Sequence, residues 1–491
     1  MLRKFIVFFM IVSQTFHSYG QLTKNTLKKP NILFIMVDDL RPELACYGQS
    51  HIKSPNIDRL ARMGQVFKRA YVNYPVCGPS RAILLSGLYG SPNRFNGWNC
   101  SLDKDVPGIV SLPMHFKNNH YTTVSLGKVF NNFDDGKGSW DEIWRPALTT
   151  TEWDYQSEES IEIFKKRNEN RQFNSEPRNN QNLPKRGPAF ENPRISDEIY
   201  QDGKIATKAV EKLQQFKANG DAFFLAVGFK KPHLPFNAPQ RYWELYDTAE
   251  IQLPDNFYPP QEAPKESLHE YSELRAYSNI PVNGPLSVNL SKQLIHGYYA
   301  SISYVDAQIG RVLDAMENLG LEEETIVVLW GDHGWQLGEH GLWCKHSNFS
   351  TSLQIPLIFK IPGESVGVKH ESLVETVDIF PTLCELASIK APFHVQGKSF
   401  ASLLNGENFV GKVALYSRSN LGGETVITKT HSYTEFYNKA GQVKANMLFD
   451  LTIDPNENQN IVADQEKQEI ISEMSRMLKH HKATRDNIAL P

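Results

Sequence analysis

Residues 31–39 read N-I-L-F-I-M-V-D-D, and this stretch decides the fold. The run Asn31 to Val37 is continuously apolar and rich in branched side chains, as expected of a strand covered on both faces of a parallel sheet, and it stops abruptly at Asp38 and Asp39. The same grammar recurs twice. Ala222 to Phe229 (A-F-F-L-A-V-G-F) reads as a second buried strand, with the loop K-K-P-H-L-P-F at its end. Thr325 to Trp330 reads as a third and ends at Asp332 and His333. Between them lie helical patterns: one opened by Ser54-Pro55-Asn56, one over Pro79 to Ser86 closed by Gly87, one over Ala206 to Lys217, and one over Leu294 to Leu319. Strands alternating with helices predict an α/β fold, a large mostly parallel central sheet flanked by helices.

The chain has 491 residues, 40% hydrophobic, with 52 Lys and Arg against 55 Asp and Glu. That composition is globular, and a formal charge of −3 supplies no global positive field to gather nucleic acid. Residues 1–20 carry Arg3 and Lys4, an apolar run from Phe5 to Val12, and small residues Ser18 and Gly20 before a cut, the pattern of a secretory signal peptide. The run is too short to span a bilayer and no later stretch is long enough, so the expected protein is exported, periplasmic or secreted, without a membrane span. Five cysteines (Cys46, Cys77, Cys100, Cys344, Cys384) are too few for a disulfide scaffold, and an odd number leaves at least one unpaired. The sequons at Asn99, Asn289 and Asn348 are read as unglycosylated, in keeping with a bacterial source.

Residues 21–405 are expected to form the catalytic unit. Within them, 149–193 is a polar, Asn-rich stretch without apolar periodicity, read as a surface insertion near the site. Residues 406–491 change to short strand-like runs (Lys412 to Ser417, Glu424 to Phe436, Ala445 to Leu451) and a terminal helix over Gln465 to His480, which predicts a smaller antiparallel sheet with a packed helix.

Ligands of open α/β sheets sit beyond the carboxyl ends of the strands, and those ends carry Asp38, Asp39, Asp332 and His333. Acidic residues after a strand are commonly turn formers, but two such pairs converging on one edge indicate a metal site. Carboxylates so close repel one another unless a cation lies between them. Oxygen-rich ligation favours calcium or magnesium, whereas the imidazole leans towards manganese or zinc. A second constellation is C-G-P-S-R, Cys77 to Arg81, at a helix start with Pro79 suited to the first helical position. Helix N–H groups and the Arg81 fork suit a tetrahedral oxyanion, with Cys77 as the reactive centre of an ester hydrolase; the bland alternative is a buried small hydrophobe beside a surface charge.

At these residues the sequence resembles the type I sulfatases, in particular the iduronate 2-sulfatase-like branch. The signature appears as C-G-P-S-R-A-I-L-L-S-G over 77–87, and Val37 to Asp58, G-K-V-F over 127–130, K-P-H-L-P-F over 231–236 and 331–348 also look like that branch. L-F-D-L-T-I-D-P-N-E-N over 448–458 is similar to sulfatase second domains. The resemblance implies that Cys77 is oxidised to formylglycine by a maturation enzyme. The hydrated aldehyde then takes sulfate from a sugar ester and releases it, splitting one hard step into two. It also implies one calcium ion per chain, held by Asp38, Asp39, Asp332 and His333 as Lewis acid. By the same resemblance Arg81 orients the hydrate, Lys128 and Lys345 neutralise sulfate oxygens, and His233 binds sulfate and protonates the leaving oxygen. Trp335 offers a stacking face for the sugar, or core packing. One position departs from the branch: three residues after Lys128, where those enzymes have a histidine, this chain has Asn131, which cannot accept a proton near neutral pH. The expected substrate is a sulfated polysaccharide or its oligosaccharides, glycosaminoglycan-type or algal such as ulvan. Competing readings are a phosphate or phosphonate ester hydrolase of the alkaline phosphatase superfamily, whose members generally use Ser or Thr, and a non-catalytic sulfated-glycan-binding protein with Cys77 unconverted.

Overall fold

A computed structural model of the chain describes residues 29–132, 134–147, 151, 153–169 and 185–486. The segment 1–20 read as a leader lies outside them. The strand Asn31–Val37 is the centre of an eight-stranded sheet, between Thr325–Gly331 on one side and Phe223–Phe229 on the other, both parallel to it. Thr122–Gly127 and Glu142–Trp144 extend the sheet in parallel beyond Phe223–Phe229. Beyond Thr325–Gly331 come Leu357–Lys360, Gln65–Phe67 and Val368–His370, of which only Leu357–Lys360 runs antiparallel.

Every residue of the three central strands is buried, which explains their unbroken apolar character. Alternate side chains serve opposite layers. Leu33, Ile35 and Val37 join one core with the helices Pro55–Met63, Gln201–Asn219 and Val288–Asn318. Ile32, Phe34 and Met36 join the other with Cys77–Ser86, Leu112–Asn118 and Ile379–Leu386. The expected α/β architecture is the observed one.

Three local expectations are corrected. The signature helix spans Cys77–Ser86, so it begins two residues earlier than read, and Pro79 is its third residue rather than its first. Ser80 N donates to Val76 O at 2.9 Å to close the first turn, and proline is harmless where the helix has no acceptor for an N–H anyway. The polar insertion contains a helix, Glu158–Asn168. It was illegible as an apolar stripe because only Ser160 is buried; the Ser157 hydroxyl accepting from Ser160 N, acids in its first turn and bases in its last favour it instead. The run read over Glu424 to Phe436 is two strands, Gly423–Ile427 and His431–Tyr437.

Those two strands lie between Leu415–Arg418 and Val443–Asp450 in a four-stranded antiparallel sheet. The terminal helix Gln468–Asp486 packs Met474 and Leu478 on Val426, Tyr433 and Leu448. This small sheet also buttresses the loop after Thr325–Gly331. Asn348 is fully buried, donating to Thr425 Oγ1 at 2.8 Å and accepting from Ser419 Oγ at 2.6 Å, while Ser350 N donates to Glu457 at 2.6 Å. The Asn348 sequon therefore has no room for a glycan. All five cysteines are free thiols. Among the described residues no helix is long and apolar enough to cross a membrane.

Candidate active site

The carboxyl edge of the central strands gathers every charged residue singled out in the sequence around Cys77. Asp39 follows its strand in the left-handed region, φ 60°, a conformation aspartate tolerates better than most residues. Tyr298 fixes that turn by donating its hydroxyl to Asp39 O at 2.8 Å and accepting from Arg41 N at 3.1 Å. Asp38, Asp39, Asp332 and His333 are all 0% exposed.

Each carboxylate has a cation. Arg81 donates from Nε to Asp332 Oδ2 at 2.9 Å and lies 3.3 Å from Asp38 Oδ1, and its guanidinium also meets the carbonyls of Lys128 and Val129. Lys128 Nζ meets Asp38 Oδ2 at 2.5 Å. Lys345 Nζ sits 3.0 Å from Asp39 Oδ2 and 3.0 Å from Glu273 Oε2. The backbone at Cys344 and His346, on either side of that lysine, is left-handed (φ 72° and 85°), strain of a kind that concentrates at functional sites. Lys128 reaches its place because strands approach closely: a Cβ on Gly228 would lie 2.1 Å from Lys128 O.

Cys77 Sγ is 3.2 Å from His333 Nε2 and 3.7 Å from Asp39 Oδ1. Gly78 lets the helix start slide under the carbonyl of Trp98, 2.5 Å from where a Cβ would stand. Burial and the Asp38 charge push the Cys77 thiol well above the ordinary range, so as a thiol it is neutral and a poor nucleophile. Burial opposes ionisation of Asp38, but Lys128, His233 and Arg81 hold it well below the usual carboxylate range. Asp39 behaves differently. Burial, together with Asp38 and Glu273, pushes its carboxyl up to about 7 despite Lys345 and His333.

That residual strain bears on the metal. Donor atoms of Asp38, Asp39, Cys77 and His333 lie within 4.8 Å of one another, an acidic, oxygen-rich cluster with one imidazole that accommodates a divalent cation. Asp332 adjoins this set with both oxygens engaged: Oδ1 accepts from Asp39 N at 2.9 Å and Oδ2 from Arg81. A bound cation would relieve the raised Asp39 carboxyl.

His233 donates Nδ1–H to Leu234 O at 2.5 Å, which turns Nε2 towards Asp39 (3.8 Å) and Glu273 (3.3 Å). Burial and Lys345 pull its pKa down to about 4, so the ring is neutral near pH 7. Glu273 is a site residue that no sequence motif marks. It lies on a four-residue helix, Ser272–Arg275, with no motif around it, and it joins His233, Lys345 and His346. Trp335 adjoins the site through Lys345, whose ammonium is 4.8 Å from its ring centre. Its indole is 1% exposed, stacked parallel to Tyr298 and edge-on to Phe236, so it supports the lysine from below rather than presenting an open face. Asn131 donates to Trp98 O at 3.1 Å and Asn132 to Cys100 O at 2.8 Å; both hold the loop that covers the start of the Cys77 helix.

Arg41 braces the loop after Thr325–Gly331 from outside, donating to Trp335 O at 3.1 Å and to Glu339 at 2.6 Å while pairing with Glu43. Burial alone would raise the Glu43 carboxyl, but Arg41 and His51 overcome it and hold it at about 2, against an ordinary 4.5. A depressed folded-state pKa gives stability that is present above pH 4.5 and lost as pH falls towards 2. Glu43→Gln is therefore expected to remove about 3 kcal/mol of stability at neutral pH and almost none near pH 2. Denaturant unfolding of both proteins across that range checks this, and a pH-independent difference would refute it.

A doubly wound sheet ending in buried carboxylates, paired cations and a helix N-terminus defines a class: hydrolases that cut esters of tetrahedral oxyanions. The sequence profile of the sulfatase family matches residues 30–389, and that of the N-sulphoglucosamine sulphohydrolase C-terminal region matches 338–484. Human iduronate 2-sulfatase is 31% identical over 433 residues, 79% of this chain and 76% of its own length. A sulfatase of Formosa agariphila is 30% identical over 447 residues, 87% of this chain and 82% of its own. Among solved structures, a protein in complex with its substrate D-glucosamine-2-N,6-O-disulfate superposes with a TM-score of 0.73 at 21% identity, covering 94% of this chain and 99% of that one. The chain belongs to the sulfatase family, in its iduronate 2-sulfatase-like branch, and is a sulfuric ester hydrolase.

Proposed function

We propose that this protein is exported and removes sulfate groups from a sulfated polysaccharide or its oligosaccharides, with Cys77 matured to formylglycine and one calcium ion held by Asp38, Asp39, Asp332 and His333. The observation that carries the proposal is the convergence on Cys77 of buried carboxylates and three paired cations. The names of the iduronate relative and of the disulfated-glucosamine complex support a glycan substrate. The pattern of residues 1–20 supports export. An aldehyde hydrate at residue 77 supplies a nucleophilic oxygen, and a bound divalent ion supplies Lewis-acid polarisation.

The chain's own groups do the rest. Arg81, locked between Asp38 and Asp332, keeps its fork beside residue 77 and orients the nucleophile. Lys128 and Lys345 hold positive charge on two sides of the cleft, where the oxygens of a sulfate ester would lie, and preorganised charge of this kind is often the largest contribution to rate. His233 keeps Nε2 facing the site; with Nδ1–H held by Leu234 O and the ring neutral, Nε2 takes the proton that the attacking hydroxyl loses and hands it to the departing sugar oxygen. Asn131, occupied with Trp98, cannot accept a proton, so assistance to the later elimination of sulfate falls to His233 or a water; if His233→Ala turned over with both steps intact, the His233 assignment would fail.

Three measurements test the proposal. Mass spectrometry of the peptide 70–94, from a host containing a formylglycine-generating enzyme, is expected to find an aldehyde at residue 77; an intact thiol would favour a binding protein. A screen of sulfated oligosaccharides, with matched aryl sulfate and aryl phosphate, is expected to give sulfate release and little phosphate release. Chelation of the purified enzyme is expected to slow release by about a hundredfold, with calcium restoring it. Undiminished rates in protein proven metal-free would remove the ion from the mechanism.

A further inference from the structure

The loop that delivers His233 is short of hydrogen-bond donors. It joins the strand Phe223–Phe229 to the two-residue strand Phe236–Asn237 as K-K-P-H-L-P, and Pro232 and Pro235 bring no N–H. Its entry is fixed by Asp202, buried near the start of the helix Gln201–Asn219, which accepts from the N–H groups of Lys230 and Lys231, both at 2.8 Å. His233 N then donates back to Lys230 O at 3.0 Å. Its exit is fixed where Phe236 N donates to Ala189 O at 2.8 Å. Between these anchors lie three successive carbonyls, those of His233, Leu234 and Pro235, and an enclosed carbonyl without a donor is costly.

Lys231 serves two of the three. Only 5% exposed, its side chain turns back along its own loop, and Nζ donates to His233 O at 3.1 Å and to Pro235 O. The carbonyl between them, Leu234 O, is the one that accepts Nδ1–H of His233. Among the described residues the Lys231 side chain forms no ion pair with a carboxylate, so a buried cation is spent on the backbone that carries the histidine. Burial and the neighbouring Lys230 pull its pKa down to about 7. Ammonium and amine alike keep the two N–H groups that the clamp uses.

We infer that Lys231 is a positioning residue for the reaction: by holding the carbonyls on either side it keeps Leu234 O for the His233 ring, which fixes the proton on Nδ1 and turns a bare Nε2 to the cleft. The inference rests on the proposed proton-transfer role of His233 and adds the group that sets its tautomer. Which ring nitrogen of a histidine carries the proton is decided by the bond the other makes, and here that bond depends on a loop conformation that Lys231 closes. Without the clamp the His233 and Pro235 carbonyls lose the Lys231 donor, the loop turns to satisfy them, and Nδ1 loses its fixed acceptor.

Lys231→Met, which removes both donors and keeps an apolar stem, tests this in the matured, calcium-loaded enzyme. With nitrogen-15-labelled histidine, the ring signals that vanish in His233→Ala identify His233. They are expected at the positions of an Nδ1–H ring in the wild type and displaced towards the Nε2–H tautomer in Lys231→Met. Turnover is read on two esters: 4-nitrophenyl sulfate, whose leaving group departs without a proton, and phenyl sulfate, whose leaving group needs one. Lys231→Met should lower kcat about tenfold or more for phenyl sulfate and no more than about twofold for 4-nitrophenyl sulfate, with KM little changed. In a His233→Ala background the same substitution should change neither rate by more than about twofold, because the two residues act as one unit. Each ratio of esters is taken within one sample, so a smaller folded or matured fraction cancels. Lys231→Gln, whose amide is too short to reach both carbonyls, gives the same readings where the methionine variant is poorly soluble. Ring signals that stay at their wild-type positions, or turnover that falls equally for the two esters, would overturn the inference. A wild-type enzyme that released sulfate from neither ester would instead defeat the proposed function, and the ring signals would still decide the clamp.

Discussion

Cys77→Ala is expected to lower sulfate release by about 10⁴-fold or more, because it removes the atom on which the proposed nucleophile is built and nothing else in the cleft replaces it. The folded protein should survive. The side chain contributes one small group at the end of a helix whose ten residues are all buried, and its sulfur makes only contacts of 3.2 Å to His333 and 3.7 Å to Asp39. Stability is therefore expected to fall by no more than about 1 kcal/mol. A variant that kept more than about a hundredth of wild-type turnover would show that the reaction does not pass through residue 77.

Arg81→Met should be costly in both respects. Its side chain is 0% exposed and holds two buried carboxylates, Asp38 at 3.3 Å and Asp332 at 2.9 Å, together with the carbonyls of Lys128 and Val129. Removing one partner from a buried ion pair leaves the other charge unpaired, at about 3–5 kcal/mol. Turnover should fall along with stability, by about a hundredfold or more, since both the orientation of residue 77 and the set of Asp38 depend on the same fork. Arg81→Lys is not expected to rescue, because a single ammonium cannot reproduce two diverging contacts. Denaturant midpoints with and without added calcium, measured alongside sulfate release, check this; a variant as stable as wild type would mean that Asp38 and Asp332 find compensation elsewhere.

How much of this could be read beforehand depended on the physical origin of each feature. Strands covered on both faces write themselves as unbroken apolar runs, so Asn31–Val37 and Thr325–Gly331 were legible and brought Asp38, Asp39, Asp332 and His333 with them. The start of the Cys77 helix was misplaced because its first turn is set by a backbone bond to Val76 rather than by a capping side chain. The helix Glu158–Asn168 was missed because it buries almost nothing. Glu273 left no trace, since its role arises only when a four-residue helix is brought against Lys345 and His233 by the fold. Trp335 adjoins the ligand residues in sequence, yet the stacking of Tyr298 and Phe236 turns it inward. The loop Cys344 to Asn348 shows the same dependence on distant parts, since the small antiparallel sheet holds Asn348 from behind.

Cys77 is only 6% exposed, its sulfur walled by His333 and Asp39 and the next residue, Gly78, lying under the Trp98 carbonyl. No second enzyme could close its own active site around an atom so enclosed. If Cys77 is converted as proposed, its burial requires the conversion to come before the sheet and helix close around it.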